Sequence, residues 1–323
     1  MPPIHATTAS VLHVARSEAD RFLPEGPRAV TIEDRSALAW VNIQTAPDAT
    51  AGDIHVRFWD GEHRTYAQDR RPGFLFPTDE ADTLFIGREK EVGLLHLATN
   101  RFQSLASIDD ANPRTIINDG EIVPGGRAVV FGTKDVQFAD PIANLYLFTL
   151  DDRKLTVLAD GQTCSNGKVF AREGDELVLY DIDTPKKNVV RYQLDLAKHR
   201  LSNPNVVLDL ARQDGFPDGM IDAGTGTVIV AFYNPGPVDA GRAIRFDLRT
   251  GDALEEWLTP GSPRVTCPLL VSHEGATRLI LTTATEGMPE EMRRVCPDAG
   301  NLFWAETQLP QRPDSEVIRL NHH

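Results

Sequence analysis

The chain has 323 residues, of which 41% are hydrophobic and 25% are charged, as is ordinary for a soluble globular protein. Its 33 basic and 47 acidic residues give a net charge of −14, and the basic ones form no cluster, which argues against a nucleic-acid partner. No apolar run approaches the roughly eighteen residues of a membrane-spanning helix, and the N-terminus lacks a secretory signal pattern, so we expect no membrane association and a cytoplasmic location.

The N-terminal stretch precedes a series of repeated segments. Within it, Thr7–Ala15 alternates loosely between polar and apolar residues, which predicts a strand. The three cysteines, Cys164, Cys267 and Cys296, form neither an even disulfide framework nor a closely spaced metal-binding pair. We therefore expect buried, reduced thiols, as in a cytoplasmic protein.

A segment rich in β-forming residues recurs six times. Its copies are Ala37–Ile43, Thr83–Glu89, Arg127–Thr133, Glu176–Ile182, Thr227–Tyr233 and Arg278–Ala284. A second apolar segment follows each copy, beginning at Ile54, Leu94, Asn144, Asn188, Arg242 and Asn301. Apolar runs of this length, bounded by Gly, Pro, Asp and Asn, predict short strands joined by hairpins.

Each repeat predicts a small antiparallel sheet that is marginal in water by itself. Radial stacking of six sheets protects their edges and leaves a central channel, whereas an elongated β-solenoid, the alternative, usually has shorter repeats. We therefore predict an all-β fold, a six-bladed β-propeller, as a single domain over residues 1–323. The predicted blades lie near 25–65, 72–108, 118–160, 165–210, 217–260 and 267–308. In such a ring, Thr7–Ala15 would supply an outer strand to the last blade.

The residues that open the predicted blades share one position, just before the innermost strand and around the mouth of the channel. Four of the six openings carry an oxygen-donor side chain, namely Glu25, Asn118, Asn166 and Asp218. This all-oxygen set, without a convergent His or Cys, suits Ca²⁺, Mg²⁺ or Mn²⁺ better than Zn²⁺. Asn-Gly and Asp-Gly pairs also make ordinary turns at the start of strands, so the spacing leaves both interpretations open.

Two longer loops interrupt the repeats. Gln137–Ile142 lengthens blade 3, and Glu286–Gly300 lengthens blade 6, with a helical turn predicted over Glu290–Arg294. Such loops either roof a channel mouth or are ordinary surface excursions.

Several motifs resemble the regucalcin/gluconolactonase family. They are Glu25-Gly26-Pro27, Asn118-Asp119-Gly120, Ser165-Asn166-Gly167 and the stretch from Phe216 to Asp222, and the similarity runs from about residue 20 to 308. The resemblance implies a six-bladed propeller with one divalent cation, Ca²⁺ first and Mg²⁺, Mn²⁺, Zn²⁺ or Fe²⁺ as alternatives, held by Glu25, Asn166 and Asp218. It places Asn118 beside the cation as a further ligand or a substrate contact. It also implies hydrolysis of a small sugar lactone, with Asp218 as the base.

The chain departs from the family pattern at two substrate contacts. Ile116 stands where sugar lactonases of the family often carry an Arg, and Arg114 is the nearest arginine upstream. An acidic substrate contact has only Gln137 as its nearest candidate. Two alternatives to a lactonase therefore stay open, a phosphotriesterase of the diisopropyl-fluorophosphatase type and a calcium-binding propeller without enzymatic activity. The sequence carries no signal for the oligomeric state.

Overall fold

The computed structural model describes residues 4–310 and 316–320. The ends of the predicted domain, residues 1–3 and 321–323, lie outside the described residues. In the described part of the chain almost every regular element is a β-strand. Two short strands, β1 (His5–Thr8) and β2 (Ser10–His13), come first.

Six antiparallel sheets follow in chain order, and each forms one blade. Blade 1 contains β3 (Pro24–Ile32), β4 (Arg35–Asn42), β5 (Gly52–Phe58) and β6 (His63–Gln68). Blade 2 contains β7 (Pro72–Pro77), β8 (Thr83–Arg88), β9 (Glu91–His96) and β10 (Arg101–Ser107). Blade 3 contains β11 (Thr115–Ile122), β12 (Ala128–Asp135), β13 (Ala143–Thr149) and β14 (Lys154–Gln162).

The second half of the chain repeats this order. Blade 4 contains β15 (Ser165–Glu173), β16 (Glu176–Asp183), β17 (Asn188–Asp195) and β18 (Arg200–Asp209). Blade 5 contains β19 (Phe216–Gly224), β20 (Thr227–Tyr233), β21 (Ala240–Asp247) and β22 (Ala253–Pro260). Blade 6 contains β23 (Val265–His273), β24 (Ala276–Thr283) and β25 (Leu302–Glu306). The predicted six-bladed β-propeller is confirmed.

The innermost strands form a closed ring. Each of β3, β7, β11, β15, β19 and β23 contacts the innermost strands of both neighbouring blades. The N-terminal strand β2 pairs with β25 and becomes the outer strand of blade 6, as predicted for Thr7–Ala15. The strand before it, β1, pairs in parallel with β22 of blade 5. The N-terminus therefore joins the last two blades.

The second strand of each blade lies in the core. In β20, for example, all residues but the last are buried, because the neighbouring blades cover both faces of the sheet. The fourth strands are less buried than the second strands, as in β18, where only Leu208 is buried. The core thus lies between the blades rather than at one centre.

The innermost strands carry a β-bulge at the predicted opening position. The register shifts include Ile117/Gly120 in β11, Asn166/Lys168 in β15 and Pro217/Met220 in β19. The interpretation of these Asx-Gly pairs as turns is therefore wrong, because they lie inside strands. Gly167 does not have a positive φ, so the backbone conformation does not require a glycine there. The glycine is required because a Cβ at this position would approach Asp218 O to 2.8 Å. A bulge re-aims side chains, and here it lies beside the candidate ligands.

The loops and the cysteines agree with the predictions. The loop of blade 6 contains a short helix, α1 (Glu290–Val295), where one helical turn was predicted. All three cysteines are free and buried. In the described part of the chain no helix is long and apolar enough to span a membrane.

Candidate active site

A cavity of about 370 Å³ lies at one mouth of the channel. Residues from blades 1, 3, 4, 5 and 6 form its wall: Leu23, Glu25, Gln44, Asn118, Lys134, Asp135, Val136, Phe138, Cys164, Asn166, Thr184, Phe216, Asp218, Tyr233, Pro235, Glu286 and Gly287. All four predicted oxygen donors are among them. A larger groove of about 590 Å³, between blades 1, 2 and 6, contains none of the predicted site residues. The candidate site is therefore the smaller cavity.

The four donors come from equivalent places in four blades. Glu25, Asn118, Asn166 and Asp218 lie on β3, β11, β15 and β19, within or next to the bulge of each strand. Asn118, Asn166 and Asp218 are buried, and Glu25 is half-buried. The repeat thus brings together residues that are far apart in the chain.

The pKa values of the two carboxylates, Glu25 and Asp218, are both raised. Burial raises the pKa of Glu25 well above its usual value, and the negative charges of Asp218 and Asp119 raise it further. Burial also raises the pKa of Asp218 well above its usual value, and the charge of Asp119 adds to this effect. The Asp218 carboxylate accepts no hydrogen bond from the residues that the structure describes, whereas Glu25 accepts one from the backbone of Gly26.

A chain of hydrogen bonds orients the two amides. Asn118 Nδ2 donates to Asn166 Oδ1 at 2.8 Å and to the Ser165 carbonyl at 2.9 Å. Asn166 Nδ2 donates to Thr184 Oγ1 at 2.8 Å, and Thr184 Oγ1 donates to the Pro217 carbonyl at 2.9 Å. Because both nitrogens are engaged, the amide oxygens are the groups left to act as ligands. Asn166 Oδ1 keeps a second lone pair for this purpose.

A divalent cation fits this set of donors. Among residues 4–310 and 316–320, no group of three or more His, Cys, Asp or Glu side chains could hold a metal. The candidate set contains only two carboxylates and depends on amides for the rest, a composition typical of hard cations with oxygen ligands. Two positive charges would neutralise Glu25 and Asp218 and oppose the effects of burial and like charge that raise their pKa values.

A buried lysine supports the strand that carries Asn166. Lys168 is almost completely buried, and its Nζ donates to the Asn166 carbonyl at 2.7 Å and to Ser165 Oγ at 2.9 Å. Its charge lies 3.4 Å from the buried Asp181. Ser165 is fully buried and does not line the cavity, so it is not placed to act as a nucleophile. Burial raises the pKa of the Cys164 thiol far above its usual value, so Cys164 is not a nucleophile either.

A network around Asp135 holds the loop of blade 3 against the cavity. The Asp135 carboxylate pairs with Arg114 Nη2 at 2.5 Å and accepts hydrogen bonds from the backbone N–H groups of Gln137, Ala139 and Asp140. Arg114 also contacts Asp140 at 2.8 Å, so it positions the loop and does not line the cavity.

The two substrate-contact positions of the sequence analysis are not in the wall. Ile116 is fully buried in the core between the blades. Gln137 is exposed and does not line the cavity, although Val136 and Phe138 on either side of it do. A substrate contact by Gln137 stays a prediction.

The mouth of the cavity is partly apolar. The ring of Phe138 meets that of Phe216 edge to face, with centroids 5.8 Å apart. On the other side, Tyr233 Oη donates to the Glu286 carbonyl at 2.7 Å, and the buried Arg264 donates to Tyr233 Oη at 3.1 Å. These contacts fasten the loop of blade 6, so both long loops form part of the wall.

An ion pair crosses the channel farther along the innermost strands. Arg28 of blade 1 contacts Glu121 of blade 3 at 2.9 Å, and both follow their candidate ligand by three residues. Arg28 also lies over the ring of Phe76 at 4.9 Å. Neither residue of this pair lines the cavity.

The sequence analysis missed several wall residues. Thr184, Tyr233 and Glu286 each lie at or just beyond the end of a second strand, a place that a repeat alignment can mark. Lys134 follows Gly132-Thr133 near the end of the buried strand β12. A charged residue at such a position could have marked it as a wall residue. The Phe138–Phe216 contact had no such signal, because it joins two blades that are not neighbours.

A protein-family model described as the SMP-30/Gluconolactonase/LRE-like region matches residues 23–285. A Bacillus subtilis (strain 168) protein named "Putative sugar lactone lactonase YvrE" is 28% identical over 297 residues, 91% of this chain and 94% of that protein. Regucalcin of Homo sapiens is 29% identical over 203 residues, 62% of this chain and 64% of regucalcin.

The solved structures include a protein with the same fold. A calcium-binding protein, regucalcin from Agrobacterium tumefaciens strain C58, superposes with a TM-score of 0.79 and covers 98% of this chain and 100% of its own. Its sequence identity is 20%, so this similarity shows the fold.

Proposed function

Because the chain belongs to the SMP-30/gluconolactonase/LRE-like family, we propose that it is a hydrolase that opens a lactone in the cavity at the channel mouth with one divalent cation. The observation that carries this proposal is the convergence of four oxygen-donor side chains from four blades on one cavity. The names of two similar proteins, "Putative sugar lactone lactonase YvrE" and a calcium-binding regucalcin, support it.

In this proposal Glu25, Asn166 and Asp218 hold the cation, and Asn118 lies beside it as a fourth ligand or a substrate contact. Ca²⁺ is the first choice because every donor is an oxygen, and Mg²⁺, Mn²⁺, Zn²⁺ and Fe²⁺ are the alternatives. When bound, the cation would supply Lewis-acid polarisation of the ester carbonyl.

Asp218 is the proposed base. Its carboxylate has no hydrogen-bond donor among the described residues, so it can accept a proton from water. As the proton moves to Asp218, the water oxygen bonds to the carbonyl carbon. The ring C–O bond then breaks, and the leaving oxygen takes this proton from Asp218 to give a hydroxy acid and restore the carboxylate. The positive charge of Lys134 lowers the pKa of Asp218 and so favours the ionised form that this role requires.

The test combines metal analysis with turnover. Protein stripped with a chelator is reloaded with each of the five cations and assayed by acid release on sugar and aliphatic lactones. Asp218→Asn should lower the rate by about 10²–10⁴-fold because general-base assistance is lost, and saturating metal should restore only part of it. Glu25→Gln should lower the metal content.

The control is Asp222→Asn, which changes a carboxylate on the same strand β19 outside the cavity wall. It should behave as the parent does. An Asp218→Asn protein that turns over lactones at close to the parental rate with normal metal content would show that this mechanism is wrong.

Phosphotriester hydrolysis is the second candidate, and the apolar mouth formed by Val136, Phe138 and Phe216 favours it. A chromogenic phosphotriester in the same assay separates the two reactions. Tight, chelator-sensitive Ca²⁺ binding without turnover of either substrate would instead indicate a binding propeller.

A further inference from the structure

Lys134 is the only Lys, Arg or His in the cavity wall, as far as the structure describes the chain. It lies near the end of β12, is half-buried, and its ammonium forms no ion pair or hydrogen bond with a described residue. Other lysines here have partners, such as Lys90 with Asp110 at 2.8 Å and Lys198 with Asp195 at 2.8 Å. A partly desolvated charge without a partner is unfavourable unless a ligand supplies one.

Apart from Glu286, the acidic groups of the wall are balanced without Lys134. Asp135 is paired with Arg114 at 2.5 Å. Glu25 and Asp218 match the two charges of the cation in the proposed function. Glu286, on the loop of blade 6, is half-buried and close enough to raise the pKa of Asp218. Lys134 lines the same cavity as Glu25 and Asp218, and its charge lowers the pKa values of both.

No second cation competes for this place in the described structure. Arg114, the nearest arginine in sequence, is bound by Asp135 and Asp140. Arg264 is engaged by Tyr233 Oη and by the carbonyls of Pro235 and Gly287. A negative group that enters the cavity therefore meets Lys134.

We propose that Lys134 binds a free carboxylate on the substrate, separate from the ester, so that the enzyme acts on small acidic lactones. This inference rests on the proposed function and names its substrate class. The ester occupies the end of the cavity with Glu25, Asn166 and Asp218, and the free carboxylate accepts hydrogen bonds from Lys134 Nζ. A cavity of about 370 Å³ is at the small end of ligand pockets, which suits a single ring.

The experiment compares matched substrates on the metal-loaded protein. The pair is a γ-lactone with a carboxylate on the ring carbon beside the ring oxygen, and the carboxamide of the same compound; a δ-lactone pair serves in parallel. The parent should favour the acid in kcat/KM by about tenfold or more, the value of a hydrogen bond to a charged group.

Lys134→Met keeps the length of the side chain and removes the charge, so the preference for the acid should fall by about tenfold or more. Lys134→Arg keeps the charge and should retain part of the preference. Lys198→Met, a change at a lysine on an outer turn, should keep the parental ratio. A parent without preference, or a Lys134→Met protein that retains it, would overturn the inference.

Binding separates this inference from the proposed function. If no lactone is hydrolysed, the proposed function fails, and titration calorimetry with the ring-opened hydroxy diacid still tests Lys134. The diacid should bind the parent at least tenfold more tightly than Lys134→Met at equal metal content. Equal affinity for the two proteins would overturn the role of Lys134 whether or not lactones are turned over.

Discussion

Asp135→Asn should loosen the wall of the cavity without touching the proposed ligands. The side chain of Asp135 is fully buried and accepts hydrogen bonds from Arg114 Nε and Nη2 at 3.1 and 2.5 Å. It also accepts backbone hydrogen bonds from Gln137, Ala139 and Asp140 at 3.1, 3.0 and 2.9 Å. An amide in its place offers only one acceptor oxygen and turns two N–H donors toward this ring of donors.

The expected loss follows from these contacts. Removal of one partner from a buried ion pair costs about 3–5 kcal/mol. Because the Arg114 side chain is 30% exposed, we expect the lower end, about 3 kcal/mol. Burial alone would raise the pKa of Asp135, but hydrogen bonds from Arg114 and the backbone outweigh it and hold this pKa well below the usual value. The stabilisation is therefore present at neutral pH and is lost as the pH falls through the lowered pKa.

Urea unfolding at pH 7, extrapolated to water, measures this loss. The matched control is Asp140→Asn, which removes the exposed partner of the same arginine and should cost less than about 1 kcal/mol. The KM of Asp135→Asn should also rise, because the loop that carries Val136 and Phe138 is no longer held. If Asp135→Asn and Asp140→Asn unfold with the same free energy, the network does not hold the loop and the reasoning is wrong.

Two further predictions concern stability. Burial lowers the pKa of the fully buried His55 to about 3, so the free energy of unfolding should fall as the pH drops below 6.5, by about 2 kcal/mol at pH 5 for this residue alone. His55→Gln should show a shallower decline in urea titrations at pH 7 and pH 5, and an unchanged decline would contradict the assignment. Gly132→Ala would place a Cβ at 1.9 Å from Ser165 Oγ and should cost at least about 1–3 kcal/mol and weaken metal binding next to Asn166. Gly236→Ala, in a loop where a Cβ would meet only the side-chain oxygen of Asn234 at 3.2 Å, is its control, and calorimetric Ca²⁺ titration with equal affinities for both variants would argue against this coupling.

The local pattern of the sequence determined the architecture. Short apolar segments such as Glu176–Ile182 are strands because both faces are covered by neighbouring blades, and their near-constant spacing marks six equivalent sheets. The same equivalence places Glu25, Asn118, Asn166 and Asp218 at one mouth, since residues at the same position in each repeat meet at the axis of a ring. The positions of the fourth strands, such as β18, could not be read from the sequence, because a mostly exposed strand has no apolar signature.

The tertiary structure decided what the opening residues do in the backbone. Asn166-Gly167 and Asp218-Gly219 have the composition of turns, yet both lie in strands at bulges. Only glycine fits at position 167, because the backbone of β19 on the next blade passes within contact distance. That contact exists only after the blades have packed, so no local propensity records it.

The tertiary structure also decided which cation faces the cavity. Arg114 and Lys134 are both near Ile116, Arg114 along the chain and Lys134 as its register partner across β11 and β12. Arg114 is engaged by Asp135 and Asp140, which are 21 and 26 residues away, and this leaves Lys134 as the cation of the wall. The sequence by itself determined that charged residues stand at this edge of blade 3. Whether each of these residues supports the loop or lines the cavity depends on long-range ion pairs and on the direction in which its side chain leaves the strand. Only the packed sheet defines both.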